Sequence, residues 1–347
     1  MPVYFLAAAR TPIGAFGRSL KAVAAPILAA RATEETILRA GIDPSLIQET
    51  ILGCAFPGGC GENPAWLAAC EARLDGPAFT VSMGSGSGLK AISLAAQHCA
   101  GNAHALVLAG GTENCSRVPF WAPEARWGRR IGATMMQDSL LVDGPYKPLD
   151  GLAEPSEAEL AWVTSSTAKA KATRTLRERE CFPLSWAGQR GPGSLTADEA
   201  PQESRMAFPP QIAAPADGAA MVLVGTSPGP APMGRLLGVV ETTQGCSAAI
   251  RRLLAQTGLS MAAVDRWELH ESSAAWMLEV LGELPELDPG KVNVRGGALA
   301  LGDPCGASGA RMLVSLLHTL QDENLEIGIV ALPAGPGLAL AMAIARF

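Results

Sequence analysis

The feature that most constrains this chain is an internal repeat. Residues 36–53 and residues 253–270 share one order of elements: a helical stretch ends at a glycine, Gly41 or Gly258, and a short connector leads into a strand. Glycine in that place is typical of a helix C-terminus, because it adopts the left-handed backbone conformation without a steric penalty. The strands predicted in this way are Thr50–Leu52 and Trp267–Leu269.

The repeat continues further along both halves. Gly86 begins an apolar helical stretch to about Cys99, and a strand from His104 to Leu108 follows it and ends at Gly110-Gly111. In the second half, a helix begins near Ala307 and runs to about Leu320, and the strand that follows covers 327–332. Because these strands are continuous apolar runs, we expect them to be buried on both faces. The pattern predicts an α/β sheet covered by helices and built twice.

A less regular region separates the two halves. Residues 116–212 contain much of the charge and turn-rich pieces such as Arg190–Gly193, with one plausible helix over Leu160–Leu176. We therefore predict an N-terminal half over 1–115, completed by about 213–225, an inserted loop domain over 116–212, and a C-terminal half over 226–347. An insertion of this size is either a lid over an active site, which we favour, or an irregular excursion.

Charge and hydropathy exclude several classes of partner. The chain has 27 Lys and Arg against 33 Asp and Glu, a formal charge of -6, and it lacks basic runs. We therefore predict no nucleic-acid and no membrane partner. The apolar stretch 329–345 is interrupted by Pro333, Gly335, Pro336 and Gly337, which favours two strands joined by a turn over a membrane span.

The cysteines favour a reduced compartment. None of the eight forms a C-x-x-C pair or lies in a His-rich neighbourhood, so we predict no metal site. At the N-terminus, Arg10-Thr11-Pro12 interrupts the apolar start before a signal sequence develops. The expected location is cytoplasmic.

A series of motifs, in order along the chain, resembles the thiolase family. They are Arg10-Thr11-Pro12 with Gly14, Phe16 and Gly17; Gly61–Ala65, similar to G-x-N-P-A; Thr80–Ala91, similar to the nucleophile loop; Gly110–Ser116, similar to G-G-x-E-N-M-S; and Gly296–Arg311, similar to G-G-A-I-A-L-G-H-P-x-G-A-S-G-A-R. The resemblance implies two similar α/β halves stacked as five layers, α/β/α/β/α, with a loop domain. It also implies a homodimer or homotetramer.

The same resemblance implies a chemistry for the site. In the family, a cysteine thiolate at a helix N-terminus attacks an acyl-CoA thioester, and the histidine of G-H-P takes its proton. A second cysteine moves protons to and from the acyl α-carbon, and backbone amides form an oxyanion hole. Coenzyme A is a substrate in this scheme and no cofactor is bound covalently.

This sequence departs from the family at each reactive side chain. Ser85 stands at the nucleophile position, Asp303 replaces the G-H-P histidine, and Pro333 replaces the second cysteine. A serine hydroxyl needs a base, a lone carboxylate is too weak a base to ionise it, and proline transfers no proton. We therefore expect ordinary thiolysis and Claisen condensation to be lost.

Other parts of the family's site survive. The amides of Ser85 and Gly335 occupy the oxyanion-hole positions, and His270-Glu271 matches the N-E-A-F-A motif with His in place of Asn. The part of the family's site that binds coenzyme A is only partly kept. The S-G-I-N-D-G-A-A stretch is shortened to 214–220, and the insert is shorter than the family's loop domain. Residues that bind coenzyme A are left unassigned.

Three residues leave alternatives open. Ser85 is either a nucleophile or, as we favour, a small residue at a tight strand-to-helix turn. Cys305 is either a relocated nucleophile near His270 or, as we favour, buried packing. His270 is equally consistent with a retained polar role and with a structural histidine.

Two functions follow from these alternatives. The first is a thiolase-like acyltransferase in which Ser85, His270 and Asp303 form the reactive site for an acyl-CoA thioester. The second is a non-catalytic homologue that serves as a binding or assembly subunit for a protein partner.

Overall fold

One large sheet runs through both halves of the chain. The structure is a computed structural model that describes residues 1–128, 131–146, 152–188, 191–229 and 231–347. Its strands are β1 Tyr4–Arg10, β2 Gly14–Ala15, β3 Glu49–Gly53, β4 Ala78–Val81, β5 Leu106–Asn114, β6 Phe120–Trp121, β7 Gln137–Asp138, β8 Leu184–Gly188, β9 Gly191–Leu195, β10 Ala216–Gly225, β11 Gly234–Thr242, β12 Arg266–Leu269, β13 Ile327–Pro333 and β14 Ala339–Arg346.

The helices are distributed over both halves and the region between them. They are α1 Ala25–Ala40, α2 Pro64–Glu71, α3 Ser87–Gly101, α4 Ser139–Val142, α5 Glu157–Ala172, α6 Arg174–Arg177, α7 Cys246–Thr257, α8 Ala274–Glu283, α9 Ala298–Leu301 and α10 Ser308–Asp322. None of the helices in the described ranges has the length and hydropathy needed to cross a membrane.

The order of strands in the sheet is symmetric about its centre. It runs β12-β13-β14-β11-β1-β10-β5-β3-β4, with β2 paired to β10. The two halves meet where β1 pairs with β11 in the antiparallel register Tyr4–Arg235 and Phe5–Gly234. On either side of this seam the strands correspond one to one: β10 with β14, β5 with β13, and β3 with β12.

The duplication extends to the edge of the sheet. In the first half β4 lies parallel to β3, and in the second half Val292 makes a single parallel bridge to Trp267 of β12 at the matching place. Both halves therefore share the order strand, helix, strand, helix, edge, helix and two strands. The predicted duplicated α/β fold is confirmed by this order.

Three apolar clusters define the layers. The central one joins α3 and α10 to strands of both halves, so these two helices form the inner layer. Another covers the first half with α1 and α2, and a third covers the second half with α7 and α8. Because each half of the sheet is covered on both faces, its strands need the continuous apolar sequences that they have.

Most predicted element ends agree with the structure. Helices α1 and α7 end at Gly41 and Gly258, whose φ angles are 63° and 71°, as the glycine pattern predicts. The prediction that strand β5 ends at Gly110 is wrong, because the strand continues to Asn114. The reason is its partner β10, which pairs with it up to Asp217 opposite Asn114.

Buried ion pairs attach the inserted region to the rest of the molecule. Asp198 accepts hydrogen bonds from both terminal nitrogens of Arg10, at 2.7 and 3.0 Å, and from Nε of Arg177 at 3.0 Å. Glu180 accepts from Arg10 at 3.0 Å and from Arg295 at 2.7 Å.

The predicted helix over 160–176 is two helices, α5 and α6, separated at Thr173.

Candidate active site

Ser85 lies in a tight turn between β4 and α3. The Ser87 hydroxyl donates a hydrogen bond to the Gly84 carbonyl at 2.6 Å and accepts one from the Met83 amide at 2.8 Å. Gly84 has a φ of 53°, a conformation that glycine adopts at little cost. Ser87 therefore holds the turn, and the side chain of Ser85 makes none of these bonds.

The loop after β13 packs directly on this turn. Gly335 and Gly337 have φ angles of 141° and 72°, and the Leu338 amide donates to the Gly335 carbonyl at 3.1 Å. A Cβ atom at Gly86 would lie 2.6 Å from Cβ of Ala334, so the two segments approach more closely than a larger residue allows. This approach brings the backbones of Ser85 and Gly335 to one cavity.

The two amides assigned to the oxyanion hole are free of backbone partners. Neither the Ser85 N–H nor the Gly335 N–H donates a hydrogen bond to any residue within the described ranges. Ser85 is buried and Gly335 is exposed, and an unpaired backbone N–H at a cavity wall can donate a hydrogen bond to a ligand oxygen.

His270 and Asp303 form a buried pair in the wall of the same cavity. Nε2 of His270 lies 3.2 Å from Oδ1 of Asp303, and the two residues are 1% and 2% exposed. The angle of this contact is not that of a hydrogen bond, and neither ring nitrogen has another hydrogen-bond partner in the described part of the chain. Both ring nitrogens are also shielded from solvent.

Asp303 is held by its own neighbours. Its Oδ1 accepts a hydrogen bond from the Cys305 amide at 3.0 Å and another from the Ser308 hydroxyl. Burial by itself raises the pKa of Asp303, but the adjacent His270 ring and these hydrogen bonds outweigh it and bring the pKa below its usual value. The carboxylate is therefore a weak base.

One cavity of about 1270 Å³ brings the predicted residues together. Ser85, His270, Asp303 and Gly335 all line it, and so does Pro333. Its remaining wall is largely apolar and includes Leu140, Leu152, Phe208, Trp276 and Leu338.

Cys305 lies beneath Ser85 and outside the cavity wall. Its Sγ is 3.9 Å from the Ser85 hydroxyl, and the residue is fully buried. Burial, with the charges of Asp303 and Glu113, raises the pKa of the Cys305 thiol well above its usual value. A buried thiol of this kind is inert, in keeping with a packing role.

Glu271 connects the site to the inserted helix α5. Its carboxylate accepts hydrogen bonds from the Ser166 hydroxyl at 2.8 Å, from the Trp162 indole at 3.2 Å and from the Leu299 amide at 3.1 Å. A fourth comes from the side chain of Asn293 at 2.9 Å. Glu271 therefore fixes the insert beside its neighbour His270.

A second buried carboxyl group lies behind the site. Glu113 accepts hydrogen bonds from the amides of Ala55 and Gly306 at 2.8 and 3.1 Å. Burial raises its pKa to about 8, although these hydrogen bonds oppose the change.

Two residues of the cavity were missed by the sequence analysis. The Tyr146 hydroxyl donates to the backbone carbonyl of Asp303 at 3.2 Å, and Cys246 lines the wall at the start of α7. Burial raises the pKa of Cys246 to about 12. No motif marks either residue, because the fold brings both to the cavity from distant parts of the chain.

Comparison with known proteins first defines the class. Two solved structures have nearly the same fold: the acetyl-CoA acetyltransferase of Syntrophomonas wolfei has a TM-score of 0.90 and 27% identity, and covers 100% of this chain and 99% of its own. The Acat5 thiolase of Ascaris suum, solved in complex with coenzyme A, has a TM-score of 0.88 and 28% identity, with full coverage of both chains. The class is that of thiolase-fold acyltransferases.

Sequence comparison then gives the family. The thiolase N-terminal domain matches residues 3–207 and the thiolase C-terminal domain matches residues 240–346. A probable acetyl-CoA acyltransferase of Staphylococcus aureus (strain COL) is 36% identical over 99% of both chains. This chain belongs to the thiolase family.

Proposed function

We propose that the protein binds an acyl-CoA thioester in the cavity and transfers its acyl group. The observation that carries this proposal is the pair of free amides, Ser85 and Gly335, at the wall of one cavity. Two such donors stabilise the negative charge that develops on a thioester oxygen when its carbon is attacked.

The character of the cavity indicates which part of the substrate enters it. Among the described lining residues the acidic groups are Asp138, Asp143 and Asp303, and no lysine or arginine accompanies them. The phosphates of coenzyme A therefore lie outside, and the uncharged pantetheine arm and the acyl chain occupy the apolar part. A relative named as a probable acetyl-CoA acyltransferase and a solved structure named as an acetyl-CoA acetyltransferase support a thioester of this kind.

Residues 303 and 333 do not support the formation or cleavage of a carbon–carbon bond. An aspartate at position 303 places negative charge where an enolate would develop, and losing one hydrogen-bond donor there costs about 3–4 kcal/mol. Pro333 lines the cavity without a proton to give or take. Direct acyl transfer needs only the two amides and a nucleophile.

The test is intact-protein mass spectrometry with acyl-CoAs of several chain lengths, together with the change in melting temperature on binding. We expect acyl-CoA to raise the melting temperature, and Ser85→Ala to show whether any covalent adduct is carried by the serine hydroxyl. An adduct that persists in Ser85→Ala is tested next with Cys246→Ser, because Cys246 lines the cavity and Cys305 does not. Absence of both stabilisation and adduct contradicts the proposal.

The second candidate is a non-catalytic binding subunit. It is favoured by the shielded nitrogens of His270 and by the exposed apolar side chains of the insert, of which Trp127 is 85% and Ile131 is 93% exposed. An assembly subunit would bind a partner protein whether or not acyl-CoA is present, and cross-linking under both conditions tests this.

We also propose that the protein assembles as a homodimer or homotetramer in the cytoplasm. Strand β4 is an edge of the sheet, and Phe79 on it is 40% exposed. An open edge with an exposed aromatic side chain favours pairing with a second copy. Light scattering at several protein concentrations tests the subunit number.

A further inference from the structure

Two cysteines lie together in the connection between β3 and α2. Cys54 follows β3 and is fully buried, whereas Cys60 is half-buried in a loop whose residues Gly59 and Gly61 are exposed. Both are free thiols, and the thiol of Cys60 is within hydrogen-bonding reach of the thiol of Cys54. Neither is among the described residues that line the cavity of the candidate active site.

A tight turn holds Cys60 against the chain that precedes it. The Cys60 amide donates a hydrogen bond to the Pro57 carbonyl at 3.0 Å, and the Cys60 thiol donates to the Phe56 carbonyl at 3.8 Å. Gly59 and Gly61 have φ angles of 75° and 96°, and a Cβ atom at Gly59 would meet nothing within 4 Å. Because glycine changes its backbone conformation at little cost, this loop can bring the two sulfurs to bonding distance.

The surroundings give the two thiols different reactivity. The hydrogen bond with the Cys54 thiol and the charge of Arg117 lower the pKa of Cys60 against the effect of partial burial. The pKa of Cys54 is raised by its hydrogen bond to Cys60, by burial and by the charge of Glu113. Oxidants react with the thiolate, and Cys60 is also the thiol that solvent reaches.

We propose that Cys60 and Cys54 form a redox-active pair, in which a hydroperoxide oxidises Cys60 and Cys54 then closes a reversible disulfide. With hydrogen peroxide, the Cys60 thiolate attacks one oxygen, the O–O bond breaks, and hydroxide leaves and takes up a proton from solvent. The Cys54 sulfur then attacks the Cys60 sulfur, the S–O bond breaks, and the hydroxyl group leaves as water with the proton of Cys54. Two electrons pass from the sulfurs to the peroxide, which becomes two molecules of water.

A pair of this kind fits the cytoplasm proposed above. Disulfides in a reducing compartment are usually transient and serve catalysis or redox sensing. Sensor cysteines are accessible, have a low pKa and lie beside a second cysteine that resolves the sulfenic acid. Cys60 and Cys54 have these properties.

The pair is connected to the floor of the candidate active site. The Cys54 thiol donates to Oε1 of Glu113 at 3.4 Å, and Oε2 of this carboxylate accepts from the Gly306 amide at 3.1 Å. A Cβ atom at Gly306 would lie 2.9 Å from Cα of Cys54, so the two backbones are in contact. Cys305 precedes Gly306, and its Sγ is 3.9 Å from the Ser85 hydroxyl. Because a disulfide sulfur has no proton to donate, oxidation removes the hydrogen bond from Cys54 to Glu113.

The experiment treats the reduced full-length protein with hydrogen peroxide and follows it by mass spectrometry. We expect the loss of two hydrogen atoms, and their recovery with dithiothreitol. Alkylation before and after reduction identifies Cys54 and Cys60 as the joined residues. In untreated protein we expect iodoacetamide to alkylate Cys60 about tenfold faster than Cys70, although Cys70 is the more exposed thiol.

Three variants separate the roles of the two cysteines. Cys54→Ser keeps a hydroxyl donor but removes the resolving thiol, so the sulfenic acid on Cys60 should persist and be trapped by dimedone. Cys60→Ser should form neither the sulfenic acid nor the disulfide. Cys70→Ser, the matched change at an exposed thiol of α2, should leave the disulfide unchanged. Circular dichroism checks that each variant is folded.

Several results would overturn the proposal. One is a wild-type protein that keeps all eight thiols after peroxide, and another is alkylation of Cys60 no faster than that of Cys70. A disulfide that joins Cys60 to Cys70 or to a second molecule also overturns it, as does Cys60 passing to sulfinic acid while Cys54 stays reduced. If Cys54→Ser does not fold, Cys60→Ser decides alone, and an unchanged loss of hydrogen in that variant contradicts the pair.

Discussion

His270 and Asp303 are 3.2 Å apart in a buried pair that faces the cavity, with the histidine on the strand end after β12 and the aspartate after α9. The family resemblance expects a histidine at position 303 and most often an asparagine at 270. In this chain the imidazole is at position 270, and a carboxylate is at position 303, where the family has its histidine. The buried carboxylate and imidazole are in direct contact, and the imidazole nitrogens are shielded from solvent, so the pair is a stabilising contact more than a proton-transfer device.

Replacing Asp303 by asparagine should destabilise the protein in a pH-dependent way. We expect a loss of about 3–5 kcal/mol near neutral pH, the cost typical of breaking a buried pair. Since the folded pKa of Asp303 is lowered, the stabilisation is present above the unfolded pKa of about 3.9 and is lost as pH falls through the folded value. Urea unfolding from pH 7 to pH 3 measures the difference in free energy of unfolding between wild type and Asp303→Asn. A difference that does not become smaller at low pH contradicts the ion pair.

Glu113 should give the opposite pH dependence. Burial raises its pKa to about 8, from an unfolded value of about 4.3. The folded state therefore holds a proton that the unfolded state releases, and stability falls as pH rises between these values. Melting temperatures should show wild type losing stability relative to Glu113→Gln from pH 5 to pH 8. The matched control is Glu62→Gln, the same change at an exposed position.

The attachment of the insert should depend on Asp198. Its side chain is 5% exposed and lies between Arg10 and Arg177, and these cations hold its pKa well below the usual range against the effect of burial. Asp198→Asn should cost about 3–5 kcal/mol, because it leaves the buried Arg177 guanidinium without a carboxylate partner and Arg10 with Glu180 alone. The matched control is Glu34→Gln, which breaks an exposed pair with Arg31 and should cost under about 1 kcal/mol. Denaturant unfolding compares the two, and equal costs would contradict the attachment role.

The contact between the Ser85 turn and the loop after β13 can be tested at Gly86. A methyl group there would meet Cβ of Ala334 at 2.6 Å and push the Gly335 amide away from its place. We expect Gly86→Ala to weaken acyl-CoA binding at least about tenfold, since a shift near 1 Å is enough to disturb a positioned donor. Calorimetric titration with acyl-CoA measures it.

The control for Gly86 is Gly282, a glycine within α8 that has open space around it. Gly282→Ala should raise stability by about 0.4–1 kcal/mol and leave binding unchanged. If both variants bind equally well, the turn does not position the loop.

The fold was readable from the sequence to a large extent, because its signals are local. Gly41 and Gly258 mark helix ends by their own conformational freedom, and apolar runs mark strands that are covered on both faces. The end of β5 was not readable, since it depends on β10, about a hundred residues further along the chain. Long-range pairing of this kind leaves no local trace in the strand itself.

The residues of the candidate site also fall into two groups, those that a sequence motif reveals and those that only tertiary packing brings to the cavity. Ser85, His270, Asp303 and Gly335 could be named because each stands in a motif, and all four line one cavity. Tyr146 and Cys246 could not, because only tertiary packing brings them there. The sequence also does not disclose that the nitrogens of His270 are shielded, since this depends on the angle between two side chains from separate elements.

Restoring a thiol at the nucleophile position should restore covalent acylation. The turn, the free Ser85 and Gly335 amides and the start of α3 are all in place, so Ser85→Cys would put a thiol beside donors that favour its anion and hold the thioester oxygen. We expect intact-protein mass spectrometry to show one acyl group on Ser85→Cys after incubation with acetyl-CoA, and much less on Ser85→Thr, which keeps a hydroxyl. Adding Cys246→Ser to Ser85→Cys should leave the adduct unchanged. An unmodified Ser85→Cys would mean that the amides do not hold the thioester at this turn, because the thiol itself is a competent nucleophile.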